Sequence, residues 1–128
     1  MNFPAGMPEG CPLPAATPCD GDFFLVSKTN PVQATDCLSQ AERGRALNVT
    51  GDKACMRHGV SVFPTFESCE HHREVFPALG DHVAVAKLHA SHGVHADTPS
   101  RTGPAHKTWW PYAHLARHPL FSVVTASG

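Results

Sequence analysis

The chain has 128 residues and a mass of 13.7 kDa, the size of one domain, which excludes a multidomain assembly. Ten Lys and Arg against eleven Asp and Glu leave a formal net charge of -1, so the basic excess by which proteins neutralise a nucleic-acid backbone is missing. Ten histidines, each titrating near ~6.5 when unperturbed, would turn the chain basic in mildly acid solution.

No run of about 18 apolar residues occurs, and residues 1–20 have neither a basic lead nor a continuous apolar segment. The expectation is a soluble, cytoplasmic protein with no membrane partner. Cys11, Cys19, Cys37, Cys55 and Cys69 are odd in number and contain no CxxC pair, so they are read as free thiols.

Residues 1–22 hold five of the twelve prolines, too closely spaced for a helix or central strand, and are read as an extended or disordered arm ahead of a domain over 23–125. The apolar run Phe23–Val26, bounded by Asp20-Gly21-Asp22 and Thr29-Asn30-Pro31, predicts a strand. Thr35 and Asp36 predict the cap of a short helix over 37–43, with Gly44 as its left-handed stop. The β-branched and aromatic run Gly59–Phe63, closed by Pro64, predicts a buried strand. Thr65 then caps a helix over 66–76 whose inward face carries Phe66, Cys69, Arg73 and Phe76, with Pro77 and Gly80 as its stop.

His82–Leu88 is apolar on both alternating faces, the pattern of a central strand covered on two sides. Residues 89–105 lose periodicity, and a connection of that length marks function or disorder. Thr108–Trp110 predicts a strand, Pro111 the start of a helix through His118, and Leu120–Thr125 a last strand. The fold class is α+β, with a small mixed or split sheet and two or three short helices.

His106 is the leading candidate for chemistry, because the Gly103-Pro104 turn delivers it to the start of an aromatic strand. Arg101, Lys107, Thr108 and Trp109 around it suit an anionic, flat ligand: the cations meet phosphate and an indole stacks on a ring. Trp109 and Trp110 are strand neighbours and point to opposite faces, so one is expected in the core and one at a ligand or partner. No GxSxG, GxGxxG or GxxxxGK[ST] motif is present, and no acidic side chain follows Asp97. His89, His92 and His95, spaced three apart, form the densest histidine group, together with Cys69 and His72 on the helix over 66–76; the three could chelate zinc or a similar ion only if their loop curls, and no metal site is assigned.

The segments Phe23–Pro31, Asp36–Ser39, Gly59–Phe63, Phe76–Ala84 and Gly103–Trp109 together resemble a group of small bacterial proteins. These in turn look like compact relatives of the ADP-ribosyltransferase-type fold, found also in RES-type toxins and RNA 2′-phosphotransferases. The resemblance spans about residues 22–125. It implies a split sheet around a cleft for NAD or an ADP-ribosylated group, with Lys28 at the place of the first-strand basic residue and Ser61 at that of the second-strand serine. The glutamate of the Arg-Ser-Glu transferases has no counterpart after Asp97, which counts against glutamate-assisted transfer and leaves His106 and Arg101 to carry the work. The expected activity is therefore a nucleotide-type cleft with Ser61, His106 and Lys28 as its reactive residues and Arg101, Lys107, Thr108 and Trp109 as its cofactor contacts. Two other readings stand beside it: a non-catalytic protein-interaction module using the proline arm, and a histidine-rich metal-binding protein. Homodimerisation would be one way to cover an apolar patch on so small a domain.

Overall fold

The computed structural model describes residues 2–45, 48–100 and 102–124 and shows a small α+β fold. Its strands are β1 (Thr17–Pro18), β2 (Gly21–Ser27), β3 (Val60–Val62), β4 (His82–Leu88), β5 (Gly93–Asp97), β6 (Lys107–Pro111) and β7 (Ser122–Val124), and its helices α1 (Gly51–Arg57) and α2 (Phe66–Val75). They form two antiparallel sheets, one in the order β2-β4-β7 and the other β1-β5-β6-β3. Every strand pairing among the described residues is antiparallel, so the sheet is split rather than mixed.

The first sheet follows from its side-chain alternation. On β2, Phe23 and Leu25 face the main core, opposite Ala86 and Ala84 of β4, whose small side chains leave room for them. On the other face Phe24 and Val26 pack with Phe66 and Cys69 of α2. β4 lies between β2 and β7, as its two apolar faces predict. Thr65 caps α2 as expected, its hydroxyl accepting from the Ser68 amide at 3.1 Å. The inward face of α2 is narrower than predicted: Phe66 and Cys69 turn in, whereas Arg73 pairs with Glu70 and Phe76 is 37% exposed.

The second sheet corrects the reading of the tryptophans. Both rings are fully buried. Trp109 belongs to the main core against Phe121, and Trp110 to a second cluster with Cys55 and Ala96, completed by Phe3, Met7, Cys11 and Leu13. The proline-rich segment is thus the layer that covers the second face of β6, pinned by a Cys11–Cys55 disulfide and by a hydrogen bond from the Ala113 amide to the Asn2 carbonyl. Cys11 and Cys55 are accordingly not free thiols; Cys19, Cys37 and Cys69 are, and all three are buried.

Three more elements differ from the sequence expectations. The helix expected over 37–43 is a 3-10 turn at Ala34–Cys37, followed by extended Leu38 and a series of turns ending at Gly44 with φ +78°. The Asp36 carboxylate accepts from the Lys28 and Gln33 amides, which draws the turn one step toward the N-terminus. Pro111 ends β6 opposite Gly93 instead of starting a helix, and a 3-10 turn follows only at His118–Leu120. β5 occupies part of the aperiodic stretch; its Gly93, at φ +127°, passes so close to Trp110 that a Cβ would sit 2.2 Å from the Trp110 carbonyl oxygen.

One pair of main-chain hydrogen bonds joins the two sheets: Phe24 and Phe63 exchange N–H···O contacts of 2.8 Å each. Toward the C-terminal end of β2 and the N-terminal end of β3 the strands diverge. That divergence opens the cleft.

Candidate functional site

The cleft has a volume of about 380 Å³, within the range of small-molecule sites. One wall is β2 with its continuation (Leu25, Val26, Lys28), and the opposite wall is β3 (Val60, Ser61) with Phe63. The segment 38–45 and the start of the chain after α2 (Ala78, Leu79) complete it.

Ser61 reaches this space because β3 alternates. Val60 and Val62 are buried in the core, which turns the serine between them outward. Gly59, one step earlier, lies against β6 so closely that a Cβ there would meet the Thr108 methyl at 2.2 Å. β6 is in register with β3, pairing Ser61 with Thr108.

His106 directly precedes β6 and meets Ser61 on the neighbouring strand of the same sheet, with Nε2 2.9 Å from the serine Oγ. Its Nδ1 lies 2.7 Å from the Thr98 carbonyl and 2.9 Å from the Thr98 hydroxyl. A carbonyl can only accept, so Nδ1 carries the proton and Nε2 offers a lone pair to the Ser61 hydroxyl. Thr98 is held in turn: its amide donates to the His106 carbonyl, and its hydroxyl shares a 2.8 Å bond with Thr108. Burial pushes the His106 pKa below its ordinary value, with the Thr98 main-chain bond acting the other way. Burial thus favours the neutral imidazole, whose Nε2 faces the Ser61 hydroxyl.

His72 of α2, which the sequence reading considered only beside the histidine group for metal binding, is a second cleft imidazole. Its ring packs between Phe63 and Phe76, at centroid distances of 4.9 and 5.2 Å, and stands 6.2 Å from the His106 ring. Nδ1 contacts the Thr102 hydroxyl at 2.9 Å. Burial, and then the proximity of His106, lower its pKa.

Three cations face the cleft: Lys28, Arg43 and Arg45. Arg43 donates to the Thr35 and Leu38 carbonyls at 2.7 and 3.3 Å. None of the three forms an ion pair among the described residues. Asp36 also lines the cleft, and its carboxylate is engaged by the Lys28 and Gln33 amides and the Thr29 hydroxyl. Burial opposes its ionisation, yet these hydrogen bonds hold its pKa below the ordinary carboxylate range. The segment 38–45 is braced by a reciprocal pair, the Ser39 amide to Glu42 and the Glu42 amide to the Ser39 hydroxyl. Arg117 grips Glu42 with two bonds of 2.7 and 2.9 Å and the Cys37 carbonyl with a third. The sequence reading missed this wall, although the Ser39-x-x-Glu42 spacing could have signalled it.

The remaining predicted contacts lie elsewhere. Lys107 is paired with Asp97 across β5 and β6 at 2.6 Å. Thr108 is buried against Thr98, and the Trp109 indole donates to the His92 carbonyl at 3.1 Å from inside the core. Arg101 lies outside the described residues. His89 and His92 stand together with ring centroids 5.6 Å apart, whereas the His95 ring turns in against Phe23. Among the described residues no group of three or more His, Cys, Asp or Glu is arranged to hold a metal.

Comparison with protein-family models, curated proteins and solved structures finds no match.

Proposed function

We propose that the cleft between the two sheets binds a nucleotide-type anionic ligand, with NAD or ADP-ribose as the compounds the family resemblance suggests. The carrying observation is the set of three cleft cations, Lys28, Arg43 and Arg45, without ion-pair partners among the described residues, in a cleft also lined by apolar Val26, Ala78 and Leu79. Phosphates suit the first and a base or nicotinamide ring the second. The seam at Phe24 and Phe63, with Lys28 and Ser61 on opposite walls, supports the split-sheet arrangement expected of the ADP-ribosyltransferase type. The proposed contacts are Lys28, Arg43 and Arg45 in place of Lys107, Thr108 and Trp109, whose side chains are paired or buried. No helix is long and apolar enough to cross a membrane among the described residues.

Thermal unfolding against NAD, ADP-ribose and AMP tests the proposal. A ligand at a hundred times its Kd stabilises by about 2.7 kcal/mol. For a domain of this length that raises Tm by about 10 °C. The shift should weaken with added salt and vanish when Lys28 and Arg43 are both changed to Ala. Absence of any shift at millimolar ligand, or its persistence in that double variant, overturns the assignment.

A further inference from the structure

We infer that Ser61 is a covalent nucleophile activated by His106, and that the cleft performs acyl transfer on small esters bearing an anionic group. The inference stands on the contact between Ser61 of β3 and His106 at the start of β6, and does not require that NAD bind.

A serine hydroxyl becomes a nucleophile when a base lies within hydrogen-bond reach and a third group orients that base. All three parts are present. Ser61 Oγ is exposed on the cleft wall, His106 Nε2 is 2.9 Å from it, and the Thr98 carbonyl at 2.7 Å fixes the proton on Nδ1. The orienting acceptor is main-chain, so no late acidic residue is needed. This resolves the role of His106 in a chain with no carboxylate after Asp97. Edge-on packing of the His106 ring against Phe63, 5.4 Å between centroids, limits the imidazole's swing. The rest of the wall sets the substrate class: apolar Val26, Ala78 and Leu79 suit a short acyl chain, and Lys28, Arg43 and Arg45 attract a carboxylate or phosphate on it.

The balanced sequence is as follows. Ser61 Oγ bonds to the ester carbonyl carbon while its proton passes to His106 Nε2. The carbon–oxygen bond to the alcohol breaks, and the alcohol leaves with that proton. Water then adds to the acyl carbon, giving a proton to His106, and the ester bond to Ser61 breaks as Oγ recovers it. One ester and one water yield one acid and one alcohol.

The test is incubation of the full chain with phenylmethylsulfonyl fluoride, followed by intact-mass and peptide mass spectrometry. Here Oγ bonds to sulfur, fluoride leaves, and His106 takes the proton. The expected result is one adduct, on Ser61, absent in Ser61→Ala and formed at least about 100-fold more slowly in His106→Gln. p-Nitrophenyl acetate should acetylate the same residue. Labelling elsewhere, no labelling of folded protein, or equal rates in a folded His106→Gln variant overturns the inference. Should His106→Gln fail to fold, the pH profile of wild-type labelling replaces it: a rate that does not fall in acid, as the imidazole gains its proton, also overturns the inference.

Discussion

Reducing the Cys11–Cys55 disulfide should cost the domain a large part of its stability. The bond closes a loop with a sequence separation of 44. In the chain-entropy treatment such a loop is worth about 4 kcal/mol at 25 °C, against a total of roughly 5–15 kcal/mol for a typical domain. With an unfolding entropy near 2.1 cal/mol/K per residue, about 4 kcal/mol corresponds to a drop in Tm of about 15 °C. Comparing oxidised with reduced wild-type protein isolates this term, since two thiols fill nearly the same volume as the bond. The other three thiols are silent in the comparison: burial pushes Cys19, Cys37 and Cys69 each up to about 12, so native protein resists alkylation. Thermal unfolding by circular dichroism, with and without a phosphine reductant, supplies the measurement. Iodoacetamide in denaturant should label three cysteines without reductant and all five with it. A Tm unchanged within about 2 °C, or five reactive thiols in the unreduced protein, would refute the reasoning. Under reducing conditions the dithiol form prevails, and the segment over Trp110 then holds by packing and the Ala113–Asn2 hydrogen bond.

Acid should destabilise the fold in two stages. His72, His95 and His106 have pKa values lowered chiefly by burial, so unfolding takes up protons; their contribution is complete above about 6.5 and is lost as pH falls below it. His95, whose buried Nδ1 has no hydrogen-bond partner, belongs to this group. Asp36 and Glu42, held low by their hydrogen bonds against the effect of burial, add a second decline below about pH 4.5; a Tm flat from pH 7.5 to 5 would contradict the first stage. For the same reason the rate of Ser61 labelling should rise with pH to a half-point below about 6.5, with His72 the facing titratable group, and a half-point above 7 would exclude a neutral His106 as the base. Arg117→Ala should lower stability by about 1–2 kcal/mol, since it removes a bidentate pair with Glu42 and a bond to the Cys37 carbonyl, and should make residues 38–45 exchange amide hydrogens faster; unaltered exchange there would show that the cleft wall does not depend on this brace.

The strands with plain side-chain alternation were legible in the sequence, as was the capped helix after Thr65. β2, β3, β4 and β6 come from runs of β-branched and aromatic residues whose pattern survives tertiary context. β5 was hidden because His95, a polar residue, occupies an inward position against Phe23 and interrupts the alternation. α1 has only seven residues and buries only Ala54 and Cys55, too little for a periodic signal. The strand rule sent Trp109 and Trp110 to opposite faces, and they do face apart; what a local rule could not supply is the second layer. Prolines exclude helix and central strand, but they do not prevent a chain from lying flat on a sheet and burying Phe3, Met7 and Leu13.

The same distinction explains the candidate site. His106 was suggested by its local setting after a glycine-proline turn, and Ser61 only by the family resemblance, as the counterpart of a second-strand serine. Their contact arises from the register of β3 on β6, which places Ser61 opposite Thr108 and so within reach of the residue two positions earlier on the neighbouring strand. Thr98, eight residues before His106 in the chain, matters through its main-chain oxygen, a group every residue has and no side-chain motif can announce. The wall of Arg43 and Arg45 depends likewise on Asp36 and Arg117 fixing a segment that has no regular structure. A contact set by the register of β3 on β6 and oriented by a main-chain carbonyl is encoded in strand pairing, and no spacing of side chains along the chain spells it out.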